Sequence, residues 1–307
     1  MALASIQGAA APARRRRTGR RHNGAAWLLV APFVAVFGVF TAGPVLLSLF
    51  MGFTDVRSSD LQSPFAVNTV GFANYAALLA DPTFLRSILN TLYFVVIGVP
   101  LTAGIGLVLA VALNTGINRL KGVFRVAFYA PVITNVVAVA IIWQYAFNAS
   151  GPINQALATI GLAGPNWLGD ERLAMPVVIL LGVWKNFGTA MVLFLAGLQT
   201  IPTDVYEAAA LDGAGRWRQL RSITLPLLRP TTLLVSVLIT VFYLQVFDEP
   251  YLLTDGGPLG STQSMALYTY HQFGFGNYGT AAASSYVLVV IVAVVSVIQF
   301  RSLRSKT

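Results

Sequence analysis

Six stretches of this chain stay apolar on every face for roughly the 20 residues that cross a bilayer's hydrocarbon as a helix. They lie near Ala25–Phe53, Ser87–Leu113, Val123–Phe147, Leu173–Leu198, Thr231–Phe247 and Ala281–Phe300. Barrel strands would be shorter and would alternate in polarity, so unbroken apolarity predicts helices. Only 10% of the 307 residues are charged, against about 25% in a soluble domain, and mean hydropathy is +0.71. The fold class expected is therefore all-α, a polytopic membrane protein of six transmembrane helices over residues 25–300. The run after Arg21 is too long for a signal peptide and lacks a small-residue cleavage site, so it reads as a retained anchor.

Charge gives these spans a direction. With the N-terminus inside, residues 1–24, 114–122, 199–230 and 301–307, together with Arg125, carry sixteen basic residues. The opposite segments carry three, Arg57, Arg86 and Arg172. The positive-inside rule then places both termini in the cytoplasm. The net charge of +9 thus follows membrane topology and not a nucleic-acid surface. The Ala/Arg-rich residues 1–24 read as a disordered basic tail. There is no cysteine, and His22 and His271 have no partner at metal-ligand spacing, which removes thiol chemistry and points to no metal site. Pro44, Pro100 and Pro131 fall in or beside spans, where each removes a backbone donor and predicts a kink.

The 199–230 loop carries the most specific pattern. Asp204, with Glu207 three residues on, suits a capping box for a first helix. Ala208, Ala209 and Ala210 favour helix and allow close approach by a partner. Gly213 and Gly215 predict a turn, and Trp217, Leu220 and Ile223 form an apolar stripe on a second, basic helix that Pro226 would stop. On physics alone the segment could equally lie on the membrane surface, anchored by Trp217 and the arginines.

Its spacing is more particular. Glu207-Ala208-Ala209, three residues, Gly213, nine residues, Ile223, one residue and Leu225-Pro226 resemble the EAA signature of permeases in binding-protein-dependent ABC importers. Leu195–Gln199, Ile201-Pro202, Asp212–Ala214, Phe247-Asp248, Leu253–Pro258, Gly151–Asn154, and Trp184 with Gly188 are similar to the carbohydrate branch, the maltose and glycerol-3-phosphate permeases. The resemblance covers about residues 25–300 and is to the first-subunit type, without that family's very large insertion after the third span.

It implies a type I ABC importer permease (MetI-like) fold. It also implies a second related permease as heterodimer partner, two copies of a cytoplasmic ABC ATPase, and an extracytoplasmic solute-binding protein that delivers a carbohydrate. The coupling residues it implies are Glu207, Ala208, Ala209, Asp212, Gly213, Ile223, Leu225 and Pro226. ATP and Mg would be bound by the partner ATPase, leaving this chain no cofactor or catalysis of its own. The sequence holds no G-x-x-x-x-G-K-[ST] phosphate loop, and the glycine-rich 256–262 stretch lacks the lysine.

Polar residues inside spans are costly and usually face a cavity or a partner. Lys185 lies near the middle of the fourth span, either facing solute or pairing between helices. Asn135, Gln144 and Asn148 lie on the third span, the last two four apart and hence on one face. Tyr243, Gln245 and Asp248 lie at the end of the fifth, where Asp248 and Glu249 could instead be solvated loop charges. These are the types that grip sugars, by planar polar groups and aromatic stacking, and also the types that anchor helices at an interface. A secondary transporter would not need the Glu207–Pro226 spacing. An intramembrane enzyme would need a nucleophile or paired-carboxylate constellation that the spans lack.

Overall fold

A computed structural model describes residues 23–62, 67–115 and 120–304. The expected disorder of the basic tail falls, up to residue 22, outside the described residues. Among the described residues the fold is helical, with a single isolated bridge between Thr54 and Thr69. The chain divides into two units, residues 1–48 and 49–307.

The first unit holds α1 (Asn23–Phe37), a π turn (Gly38–Ala42) and most of α2 (Gly43–Met51). Pro44 has no N–H, and its ring crowds the carbonyl four residues back. The ladder shifts there, with the Gly43 N–H donating to the Gly38 carbonyl. The kink expected at Pro44 thus takes the form of a π turn.

The second unit continues with α3 (Ala73–Ala80), α4 (Pro82–Thr115), α5 (Lys121–Ile133), α6 (Val136–Ala146), α7 (Pro152–Thr159) and α8 (Ala174–Gln199). Next come α9 (Thr203–Leu211), α10 (Arg216–Gln219), α11 (Leu225–Leu227), α12 (Arg229–Leu244), α13 (Asp248–Thr254), α14 (Met265–Gly274) and α15 (Tyr278–Arg304). Among the described residues four continuous helices are long and apolar enough to cross a bilayer: Trp27–Met51, α4, α8 and α15. Two bent pairs bring the number to as many as six, α5 with α6 and residues 216–227 with α12.

The third span is therefore not the single helix expected over 123–147. It breaks by 91° between Ile133 and Val136. Asn135 is extended there, and its side-chain oxygen accepts from the Val137 and Ala138 N–H groups at 2.9 and 3.3 Å. Thr134 donates its hydroxyl to the Pro131 carbonyl. Polar side chains satisfy the backbone groups that the break exposes, so the bend persists in an apolar setting.

The core forms where α4 meets α8 and α12. A Cβ on Gly106 would lie 2.5 Å from the Ala190 Cβ, so only glycine lets these backbones approach so closely. Phe94, fully buried, fills the space over Gly182, and the Tyr243 ring fills the space over Gly98. The two rings meet edge to face at 4.8 Å, an arrangement that adds about 0.5–1.5 kcal/mol beyond area burial.

At one end of this unit, segments distant in sequence are tied together. Arg86 donates to the Leu259 carbonyl at 2.7 Å and pairs with Glu171 at 3.2 Å. Tyr268 donates to Asp81 at 2.7 Å, and Asn90 to the Gly260 and Gln263 carbonyls. The ends of α4 and α8, at Thr115 and Leu198, line one cavity with α9 and α10 at the opposite, basic end.

Candidate functional site

Residues 203–228 link α8 to α12 at the basic end. The helix α9 begins at Thr203, two residues earlier than a capping box on Asp204 requires. Pro202 is the cap, extended and without a side-chain bond, so that box does not form. Asp204 instead sits in the first turn, where its charge complements the helix dipole. Glu207, Ala208 and Asp212 are exposed, Ala209 is half-buried, and Leu211 is 90% exposed. An apolar side chain so bare beside exposed alanines leaves an unpartnered face.

The turn is closed by glycine for a definite reason. Gly213 has φ of 76°, with its N–H on the Ala210 carbonyl and the Ala214 N–H on the Ala209 carbonyl at 2.9 Å. This is a Schellman closure, which requires the left-handed conformation glycine adopts freely. Gly215, by contrast, is extended and caps α10.

Beyond α10 the chain makes a π turn, Leu220–Thr224, before α11. Pro226 does not stop the helix. It lies two residues past the π turn, inside α11, and the chain bends by 66° around Leu228. Pro230, at the start of α12, has no N–H to return to Pro226. The π turn also breaks the expected stripe: Trp217 is 74% exposed, while Leu220 and Ile223 are half-buried.

Two tyings hold this segment together, and neither was legible in the spacing. The Tyr206 and Thr224 hydroxyls meet at 3.0 Å, and Gln219 donates to the Ala214 carbonyl at 2.9 Å. The one sequence signal was a tyrosine in an otherwise small-residue helix.

The other candidate site is a cavity of about 350 Å³ between α8 and the junction of α12 with α13. It brings together Lys185, Tyr243, Gln245 and Asp248 from the sequence-predicted set. It adds Asn186, Phe247 and Glu249, which that reading had not selected. Tyr243 contributes only a ring edge. It is 2% exposed, its hydroxyl 2.6 Å from the Thr102 hydroxyl and donating to the Gly182 carbonyl at 3.0 Å. Gln245 turns back to its own helix, donating to the Val241 carbonyl.

Asp248 and Glu249 part company, so the alternative of two solvated charges does not hold for both. Asp248 is exposed, while Glu249 is 8% exposed at the start of α13. Burial raises the Glu249 pKa, and the Lys185 charge opposes that rise. One cation and two carboxylates thus face the same space, alongside the Phe247 ring, which stacks on Tyr251 at 5.1 Å.

Asn135, Gln144 and Asn148 do not line this cavity. Asn135 caps α6. Gln144 donates to the Leu252 carbonyl at 2.7 Å and so fastens α6 to the last turn of α13. Asn148 lies beyond the end of α6, accepting from the Ser150 N–H and hydroxyl. The helix stops at Ala146, so Gln144 and Asn148 do not share a helix face. The glycine-rich turn after α13 is held by Thr262, which donates to the Gly257 carbonyl at 2.9 Å and meets the Thr254 hydroxyl at 2.7 Å. Among the described residues no cluster of His, Cys, Asp or Glu has metal-binding geometry.

Comparison with known proteins fits this geometry. Residues 69–304 match the family described as binding-protein-dependent transport system inner membrane component. The lactose transport system permease LacF of Rhizobium radiobacter is 36% identical, over 91% of this chain and 94% of its own. The trehalose/maltose permease MalF of Thermococcus litoralis is 35% identical, over 87% of this chain and 89% of its own. Among solved structures, a chain of a bacterial ABC transporter that imports the acidic polysaccharide alginate superposes with a TM-score of 0.79. It is 25% identical, over 93% of this chain and 97% of that one. A helical bundle with this core, matched over most of its length, thus belongs to the family of inner-membrane components of binding-protein-dependent transport systems, the permease subunits of ABC importers whose ATP is hydrolysed by separate subunits.

Proposed function

We propose that this permease moves a di- or oligosaccharide, that residues 203–228 are its mechanical link to a cytoplasmic ATPase, and that the Lys185 cavity belongs to the sugar path. The observation that carries the reading is the exposed α9–turn–α10 segment. Its outward alanines, bare Leu211 and closed glycine turn suit insertion into a groove on a partner. The relatives named for lactose, trehalose/maltose and arabinooligosaccharides support the sugar class. The excess of basic residues at this end supports a cytoplasmic location for it and for both termini.

In this reading a second related permease completes the pathway, two ATPase copies bind ATP and Mg, and an extracytoplasmic binding protein delivers sugar at the opposite end. That end is where Arg86, Glu171 and Leu259 are joined. ATPase closure pushes on α9, and the bend at Leu228 passes the movement into α12, whose far end carries the cavity. The solute is held in that cavity by polar groups and a ring face, and no bond is made or broken by this chain.

The test is ATP-driven uptake by the reconstituted importer. Glu207→Ala should leave insertion and complex size unchanged while transport per ATP falls. Lys185→Ala should alter uptake affinity or rate without touching ATPase docking. Wild-type coupling in the first variant would remove the link assigned to α9, and wild-type kinetics in the second would remove the cavity from the path.

A further inference from the structure

A second cavity is larger than the one in the sugar path. About 570 Å³ lies behind the coupling segment, between the basic ends of α4 and α8 and the face of α9–α10 turned toward them. Such a volume suits a ligand of moderate size. Val111, Leu198 and Leu220 give it an apolar wall, and Asn114, Arg216 and Trp217 stand at its polar side. Its other polar groups are already occupied: Tyr206 with Thr224, and Gln219 with the Ala214 carbonyl. Asn114, Arg216 and Trp217 make no side-chain hydrogen bond to another described residue. No carboxylate lines the space, and Arg218 and Arg221 add positive charge on the same segment.

We infer that this cavity is a binding site for an anionic phospholipid of the inner leaflet. The lipid phosphate meets Arg216 and the Trp217 N–H, and one acyl chain lies along Val111, Leu198 and Leu220. Four features select this occupant. The cavity opens at the ends of membrane helices, where a lipid headgroup sits. Trp217 is the amphipathic ring that favours this depth. The Arg216 cation, without an ion-pair partner among the described residues, matches the negative charge of the cytoplasmic leaflet. The apolar wall would leave a soluble anion unsatisfied. Resting on the orientation proposed above, a lipid here wedges the coupling segment against the bundle.

The experiment uses the assembled importer in nanodiscs containing brominated phosphatidylglycerol or brominated phosphatidylcholine. The part of the tryptophan quenching lost in Trp217→Phe isolates that ring without disturbing the other four tryptophans. Trp217 should be quenched more strongly by the anionic lipid, and Arg216→Gln should weaken that preference by about fivefold, the worth of one basic residue at an anionic surface. Equal quenching by the two lipids, no quenching that depends on Trp217, or a preference unchanged in Arg216→Gln would each overturn the assignment. The optical readout does not depend on transport, so its failure leaves the importer reading intact.

Discussion

Replacing Gly213 by valine changes one side chain at the hinge between α9 and α10. An added Cβ would meet nothing within 4 Å, so neighbours contribute no clash and the whole cost lies in the backbone. At φ of 76° an L-residue pays about 1–2 kcal/mol, with a β-branched one at the upper end. That shifts the population of the closed turn by about 5- to 30-fold. A nine-residue helix has little stability of its own to absorb the loss. The core at Gly106, Phe94 and Tyr243 does not involve the turn and should melt at the wild-type temperature. Proteoliposomes with ATP inside and the binding protein outside would separate sugar uptake from ATP hydrolysis. Gly213→Val should lose most uptake per ATP, while Gly213→Asn, which tolerates the left-handed region, should retain most of it. Full coupling in the valine variant, or equal damage from asparagine, would refute the argument that the left-handed turn positions α9.

Two further substitutions separate packing from transport. Tyr243→Phe removes a hydroxyl held by Thr102 and Gly182, so it should lower bundle stability by about 1–2 kcal/mol in a detergent melt and leave uptake affinity unchanged. An altered affinity with an unchanged melt would return Tyr243 to the sugar path. Gly106→Val should destabilise by about 1–3 kcal/mol or more, because its Cβ would press on Ala190 and on the Met191 backbone. Gly104→Ala, two residues away with nothing within 4 Å, should melt like wild type. If both variants melt alike, the close approach of α4 and α8 is not what makes glycine necessary at position 106.

Membrane insertion, helix type and the spacing of the coupling segment were determined by the sequence alone, because each depends on local composition. An apolar run needs a bilayer whatever surrounds it. Gly213 was legible for the same reason, since a left-handed closure after a helix is a local requirement. What only the tertiary structure decided was the use of each polar side chain inside the membrane. Asn135, Gln144 and Asn148 were the right chemical types for a sugar, yet Asn135 caps a broken helix, Gln144 fastens α6 to α13, and Asn148 closes a turn. Lys185, Gln245 and Asp248 meet at one cavity only because α8 and the α12–α13 junction pack side by side. An unsatisfied polar group is so costly in an apolar medium that it takes whichever partner the packing offers. Its residue type therefore says that it will be used, and the fold says for what.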